Sequence, residues 1–436
     1  MENNKVIKNA SWIIGIQIIK SIFNLAISMF TARLLGPSGF GLINYAASIV
    51  AFVVPIMNLG INSILVKEII SYPNKEGEIL GTAIVMSVVS AFFCILGIFS
   101  FTSLINRNEK ETIIVCTLYS LLLIFQALEM IIYWFQAKLK SKYTSVVALI
   151  SYIFVSVYKI FLLSTQKSVR WFAVSNALDY MLIAFAALII YRRMGGQRFS
   201  FSLKTAKRLL GASKYYIISN LMIVVFSQTD RIMLKLMIDD AETGYYSVAA
   251  TCAAMTGFVF GALIDSFRPM VFEYKKTDES RYEKSIIMLY SIVIYLSVIQ
   301  SGLFTLFAPL IISVLYGSAY TASVSVLQII VWYCTFSYLG GARDIWILAE
   351  NKQKHLLIIN ALGAFMNIML NGILIPSLGA DGAAIASVAT QMFINYIFVL
   401  IYKPTRRNGF LQIYALNPKI LITAFNQIIK NKPVRK

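Results

Sequence analysis

Lys20, Lys159, Asp179, Asp230 and Arg231 fall well inside long apolar segments of this chain. An ionised side chain at the centre of a bilayer-spanning helix costs about 2.5–3.5 kcal/mol on insertion scales. Such residues persist where they face a water-filled cavity or a partner. A Lys or Arg there replaces water around a travelling anion, and Arg does so with two parallel hydrogen bonds. An Asp there can take up a proton, because burial raises a carboxyl pKa. Asp230, Asp179 and Asp265 are therefore candidates for proton or ion coupling, and each could equally be paired with a buried base.

Polar residues run beside these charges at helical spacing. Gln17, Lys20, Ser21, Asn24 and Ser28 share one face; Asn220, Ser227, Arg231 and Lys235 share another. Further stripes are Asn360, Asn367 and Asn371; Ser387, Gln391 and Asn395; and Gln126, Glu129, Tyr133 and Gln136. Gln17, Asn24, Asn220, Asn367 and Gln391 are the candidate polar lining of a cavity. The plainer reading is that Asn, Gln and Ser bridge packed helices. Stripes that contain Lys or Arg favour the cavity, since desolvating a cation is so costly. Arg33 and Lys235 lie near one set of helix ends and Arg268 and Arg343 near the other, so snorkelling to headgroups is open to them. Asp230 with Arg231, and Arg343 with Asp344, are sequence neighbours that diverge on a helix.

The elements that must hold these residues are membrane helices. The chain has 436 residues, 58% hydrophobic and only 14% charged. A water-soluble chain of this length carries far more charge. Twelve apolar runs are each long enough to cross a bilayer: roughly 10–34, 40–63, 81–103, 112–134, 145–164, 172–191, 215–237, 245–268, 285–308, 324–349, 356–375 and 383–402. Lipid offers no partner to a free backbone group, so each must be helical, and none alternates as a barrel strand would. The first run follows a short basic stretch without an A-x-A-like site and reads as a retained span.

The net charge of +19 belongs to the connections. Lys67, Lys75, Lys138, Lys140, Lys142, the stretch from Arg192 to Lys214, Lys275, Lys276, Arg281, Lys284, Lys352, Lys354 and the tail all fall on one side. The opposite connections hold Arg107, Lys110, Lys167 and Arg170. Such asymmetry places both termini in the cytoplasm and makes nucleic-acid binding the poorer account of the charge. Residues 1–197 then form one six-helix bundle, 198–214 a cytoplasmic connection, 215–402 a second bundle and 403–436 a basic tail. The connection could lie as an amphipathic helix on the inner leaflet through Leu203, Leu209 and Leu210. The tail has a similar stretch from Ile420 to Ile429.

Cys94, Cys116, Cys252 and Cys334 sit in apolar spans without a CxxC pair, so neither metal nor disulfide chemistry is indicated. The single histidine, His355, reads as a solvated loop residue. No triad, zinc set or GxxxxGK[ST] motif is present, which argues against an enzyme, a bound cofactor and direct ATP drive.

Two segments echo each other. Arg33, Gly36, Pro37, Phe40, Gly41, Tyr45, Ala46 and Ala47 follow the first span; Lys235, Asp239, Asp240, Gly244, Tyr245, Tyr246, Ala249 and Ala250 follow the seventh. In each, a basic residue ends a span and a Gly, an aromatic and paired alanines open the next. A parallel six-plus-six repeat puts such an echo there.

The opening motif, Arg33, Gly36, Pro37, Phe40 and Gly41, resembles that of the Wzx-type polysaccharide transporters. Their superfamily also holds multidrug exporters and lipid II flippases. Asp230, Arg231, Met233 and Leu234, with Gly244, Tyr245 and Ala249, are similar to that family's second signature. Leu315, Tyr316, Gly317 and Tyr320 resemble its turn between spans nine and ten. Ile375, Pro376, Gly379, Gly382 and Ala383 resemble the turn before span twelve. The resemblance covers nearly the whole chain. It implies two six-helix bundles around a cavity that opens alternately to each face of the cell membrane. It also implies a lipid-linked oligosaccharide, commonly on undecaprenyl diphosphate, flipped outward for surface polysaccharide assembly, with a polysaccharide polymerase and glycosyltransferases as partners. The matching cavity cations are Lys20, Lys159, Arg231, Arg33 and Lys235.

A multidrug exporter of the same superfamily should favour acidic over basic residues within its spans, and here the balance leans basic. A lipid II-type flippase also handles a diphosphate lipid, and complementation would separate the two. An integral-membrane glycan polymerase needs a sizeable outer loop with catalytic charge, and the outer loops here are short.

Overall fold

The computed structural model describes the backbone of residues 2–420 and the side chains of residues 23–420 except Ser219 and Phe226. The side chains of Lys20 and Gln17, and the whole tail stretch beyond Ile420, lie outside what is described. Every regular element among the described residues is helical.

Length and backbone geometry give the span count. One helix runs Glu2–Met57, which at 1.5 Å per residue is about 84 Å, nearly three times a hydrocarbon core. It is broken at Gly36, whose φ of 65° and ψ of 177° no residue with a Cβ adopts comfortably, and Pro37 follows. Lys354–Met392 is likewise too long and is broken at Gly379, with φ of 54° and ψ of −132°. There the chain doubles back: a Cβ on Gly382 would lie 2.5 Å from the Leu374 carbonyl oxygen, whereas eight residues of unbroken helix span about 12 Å. Eight helical segments pass a length-and-hydropathy test for crossing a membrane. Two further pairs, Leu203–Val225 with Ser227–Met237 and Asp240–Ala254 with Gly257–Thr277, pass when each bent pair counts as one. Dividing the two overlong helices at Gly36 and Gly379 then gives twelve spans among the described residues, in the expected order. The protein is an all-α, multi-pass membrane protein.

The chain forms two compact units, Met1–Gly244 and Tyr245–Lys436. The first is built on two apolar clusters. One joins Tyr45, Ile49 and Val50 of the second span to Ala91, Cys94, Val115, Leu123 and Ala177. The other joins Ile61, Leu65, Trp134, Phe135 and Tyr191 to Leu209.

Leu209 belongs to the connection, which is a strap on this unit. Residues 196–202 run extended along the start of the third span, where Gly77 and Gly81 let the backbone in. A Cβ on Gly77 would meet the Arg198 carbonyl oxygen at 2.3 Å. Gln197 accepts from Gly77 N at 3.0 Å, and Ser202 N donates to Thr82 Oγ1 at 3.1 Å. Ser202 then caps the helix Leu203–Met237, so the amphipathic stretch and the seventh span are one helix. Leu203 and Leu210 stay exposed while Leu209 is buried.

In the second unit the tail opens with the helix Arg406–Ala415, packed on the ninth span, Glu279–Leu315. Asn408 Nδ2 donates to Tyr290 Oη, and Tyr295 Oη donates to the Leu416 carbonyl at 2.7 Å. His355 is half-buried rather than solvated: its Nδ1 lies 2.8 Å from Tyr402 Oη. All four cysteines are free and buried.

Candidate functional site

Span five, Ser141–Ser164, carries Lys159, and span six, Val169–Arg193, carries Asn176 and Asp179. These helices pack on each other and on the first span around a cavity of about 420 Å³. Asn24 contributes from span one, Tyr119 from span four, Tyr152 from span five and Tyr180 from span six. Lys159 Nζ donates to Asn176 Oδ1 at 3.1 Å, a neutral partner. Asp179, on the same wall, is engaged by Ser151, whose hydroxyl donates to Oδ1 at 2.7 Å. A neutral carbonyl compensates an ammonium less than a carboxylate does, and Asp179 on the same wall adds a longer-range Coulombic attraction to Lys159. Three phenol groups and two amides around it suit hydroxyl-rich or phosphate-bearing ligands.

The other sequence candidates lie elsewhere. Arg231 is tied to the second span: its Nη1 donates to Gln228 Oε1 at 3.1 Å, and that oxygen also accepts from Ser48 Oγ at 2.9 Å. Neither Arg231 nor the buried Asp230 lines the Lys159 cavity. Arg33 is exposed, and Asn220 is half-buried in span seven. Asp265 is exposed and pairs with Arg268 one turn on, at 2.9 Å. Asn367 and Gln391 are buried between spans eleven and twelve of the second unit. There Asn371 Nδ2 donates to Asn367 Oδ1 at 3.1 Å, and Asn395 Nδ2 donates to Gln391 Oε1. Both bonds run along a single helix; the link between the two helices is Asn367 Nδ2, which donates to Ser387 Oγ at 3.4 Å.

Lys235 does something different. The sequence placed it among the cavity cations, but its ammonium, almost wholly buried, is 2.6 Å from Glu109 Oε2 and 2.8 Å from Asp240 Oδ2. It joins the loop between spans three and four to the turn between spans seven and eight. Burial by itself would raise the Glu109 carboxyl; hydrogen bonds from Lys235 and Thr112 and the Lys235 charge outweigh that and hold it below its ordinary range. Beside this ion cluster the two echoing motifs meet. A Cβ on Gly41 would lie 1.7 Å from the Asp240 carbonyl oxygen, and one on Gly244 would lie 2.2 Å from that of Pro37. Only glycine permits an approach this close. Tyr45 Oη donates to Asn106 Oδ1 at 3.1 Å just beneath.

Arg343 is the cation that sequence reasoning undervalued. It does not snorkel: it is 3% exposed in span ten. Its Nη1 donates to Asn395 Oδ1 at 2.7 Å, and its Nη2 pairs with the adjacent Asp344 at 2.8 Å. A turn of π-helix at Phe393–Ile397 places Asn395. Gln391 and Asn395, four residues apart, were the available signal.

The fold and its polar interior define a multi-span helical membrane architecture. Solved structures share it. An inward-facing multidrug resistance transporter of the MATE family matches with a TM-score of 0.66 at 14% identity, over 91% of this chain and 96% of that one. The lipid II flippase MurJ in an inward closed conformation matches at 0.63 and 15%, over 94% and 93%. The chain belongs to the polysaccharide biosynthesis protein family, whose model matches residues 6–275. It is 24% identical over 377 residues to a protein of Haloferax volcanii named a probable low-salt glycan biosynthesis flippase, covering 84% of this chain and 77% of that one. It is 26% identical over 318 residues to an uncharacterized membrane protein of Methanocaldococcus jannaschii. That match takes in 69% of this chain and 59% of the relative's length.

Proposed function

We propose that this protein flips a lipid-linked oligosaccharide, carried on a polyprenyl diphosphate such as undecaprenyl diphosphate, from the inner to the outer leaflet. The observation that carries the reading is Lys159: a cation within a membrane-spanning helix, in a polar cavity, with a neutral amide as its hydrogen-bond partner. Membership of a polysaccharide biosynthesis family and likeness to a glycan flippase support it.

A diphosphate cannot enter hydrocarbon bare, since stripping its water costs far more than any single contact returns. In this reading Lys159 takes the place of that water, with Asn24, Asn176 and the tyrosine hydroxyls around it. Both termini are cytoplasmic, following the loop charges, so the Glu109–Lys235–Asp240 cluster lies on the outer side. Residues 1–197 and 215–402 act as the two bundles, which rock about the site. The cluster and the Gly41–Gly244 approach are then the outer closure, which parts to release the substrate. The enzymes that build and polymerise the glycan, glycosyltransferases and a polymerase, are its partners. Cells depleted of the chain should lose surface glycan and accumulate the lipid-linked precursor, both reversed by supplying the chain again. Unchanged surface glycan on depletion would refute the reading.

A further inference from the structure

The first unit also carries an apolar groove that the transport reading has not used. It has a volume of about 630 Å³ and runs between spans two and three. Val85, Val89, Phe93 and Gly97 form one wall, four residues apart along one helix face. Ile56 faces them, and Phe201 of the strap closes one end. The helical break at residues 58–61, where Leu59 and Gly60 both have positive φ, lets span two diverge there. From Val85 to Gly97 the groove is about 18 Å long, over half the thickness of a hydrocarbon core.

The two ends differ in charge. Around Phe201 the strap presents exposed Arg198, Lys204 and Lys207, with one carboxylate, Glu78, held by Thr205, while the lining at the Gly97 end carries no charged residue. An apolar channel crowned by cations at one end complements an amphiphile with an anionic head and a single tail. A two-chained phospholipid would fill it with one chain and leave the other outside.

We propose that this groove receives the polyprenyl tail of the diphosphate-linked substrate, with its head beside the basic strap, before the head moves to Lys159. This rests on the flippase reading above. Lipid is as apolar as the groove, so the tail gains little hydrophobic energy by entering. Selection comes from packing of a branched chain against the stepped wall and from attraction of the head to the strap.

The test uses the full chain in liposomes of neutral phospholipid with phosphatidylglycerol. A photo-crosslinking phenylalanine analogue replaces Phe93, or as a control Phe365, which is equally exposed on span eleven. The probe is a fluorescent short-glycan undecaprenyl diphosphate. Crosslinking at Phe93 should exceed that at Phe365 about tenfold, and unlabelled undecaprenyl diphosphate should compete while added phosphatidylglycerol should not. Equal labelling at the two positions, or equal competition by phosphatidylglycerol, would overturn the proposal and mark the groove as an ordinary lipid site. A second variant, Gly97→Phe, directs a ring into the groove from a position where an added Cβ meets open space. It should abolish the Phe93 adduct and slow flipping. Wild-type flipping with an undiminished rate in Gly97→Phe would sink the groove alone; no flipping by wild type would sink the transport reading.

Discussion

Replacing Lys235 by Met keeps most of the unbranched side chain and removes its charge. Glu109 and Asp240 then face each other without the ammonium between them. Breaking a fully buried ion pair by removing one partner costs about 3–5 kcal/mol. Here the Lys235 side chain is 4% exposed, but those of Glu109 and Asp240 are 46% and 24% exposed. Water therefore screens part of the repulsion, and about 1–2 kcal/mol is the reasonable loss to the closed contact. That is a factor of about 5–30 in the ratio of parted to closed forms. The assay is labelling of a single cysteine by a membrane-impermeant maleimide. The four native cysteines are first replaced, and the new one is placed at Thr243, which is wholly buried in this contact. Labelling at Thr243→Cys should accelerate by that factor in Lys235→Met. Adding Glu109→Gln and Asp240→Asn should return most of it. A control cysteine at Ser175, buried in span six, should not change. An unchanged rate at Thr243 would refute the argument, and equal acceleration at Ser175 would show global loosening instead.

Two further outcomes follow from the same contact. Gly41→Ala or Gly244→Ala should force the two hairpins apart, since the new methyl would sit 1.7 Å or 2.2 Å from a backbone oxygen that cannot yield. Each should raise Thr243 labelling, whereas Gly97→Ala, which meets open space, should leave it unchanged. The pH dependence has a definite sign. Glu109 has a lowered pKa in the closed contact, so its contribution is fully present above the ordinary carboxylate pKa of about 4.3 and is lost as pH falls through the lowered value. The Asp240 carboxyl in the same contact is raised by burial and acts in the opposite sense, so the Glu109 contribution predicts Thr243 labelling that is flat from pH 8 to about pH 5 and rises only in stronger acid. A midpoint near pH 6–7 would assign the closure to a different group.

Much of this architecture could be read from the residues. Apolar run length alone yields twelve spans, because lipid leaves a backbone no other choice than helix. Gly36 and Gly379 stood out as turns, and both carry the backbone geometry that breaks a helix. The echo between spans one–two and seven–eight was visible as a pattern; that Gly41 and Gly244 pack against each other's hairpins was not. Lys159 stood out because its sequence neighbours offer no counter-charge; that Asp179 shares its cavity comes only from the packing of spans five and six. Lys235 misled because Glu109 is remote in sequence and arrives only through the packing of the loop between spans three and four. Arg343 misled for a similar reason: the Gln391–Asn395 spacing marks a polar stripe, but that Asn395 reaches Arg343 across helices is set by packing and the π-helical turn. The strap shows the limit of composition. Its basic and apolar residues suit an inner-leaflet surface, yet Gly77 and Gly81 draw its first part onto the third span.

The most direct test of the cationic-cavity account is flipping of a fluorescent short-glycan undecaprenyl diphosphate by the purified full chain in liposomes, compared among wild type, Lys159→Met and Lys159→Arg. A charge-assisted hydrogen bond is worth about 1.5–3 kcal/mol, so the Met variant should flip about tenfold more slowly or worse, while Arg retains most of the rate. A correctly folded and inserted Lys159→Met protein that flips the lipid at the wild-type rate would contradict the account.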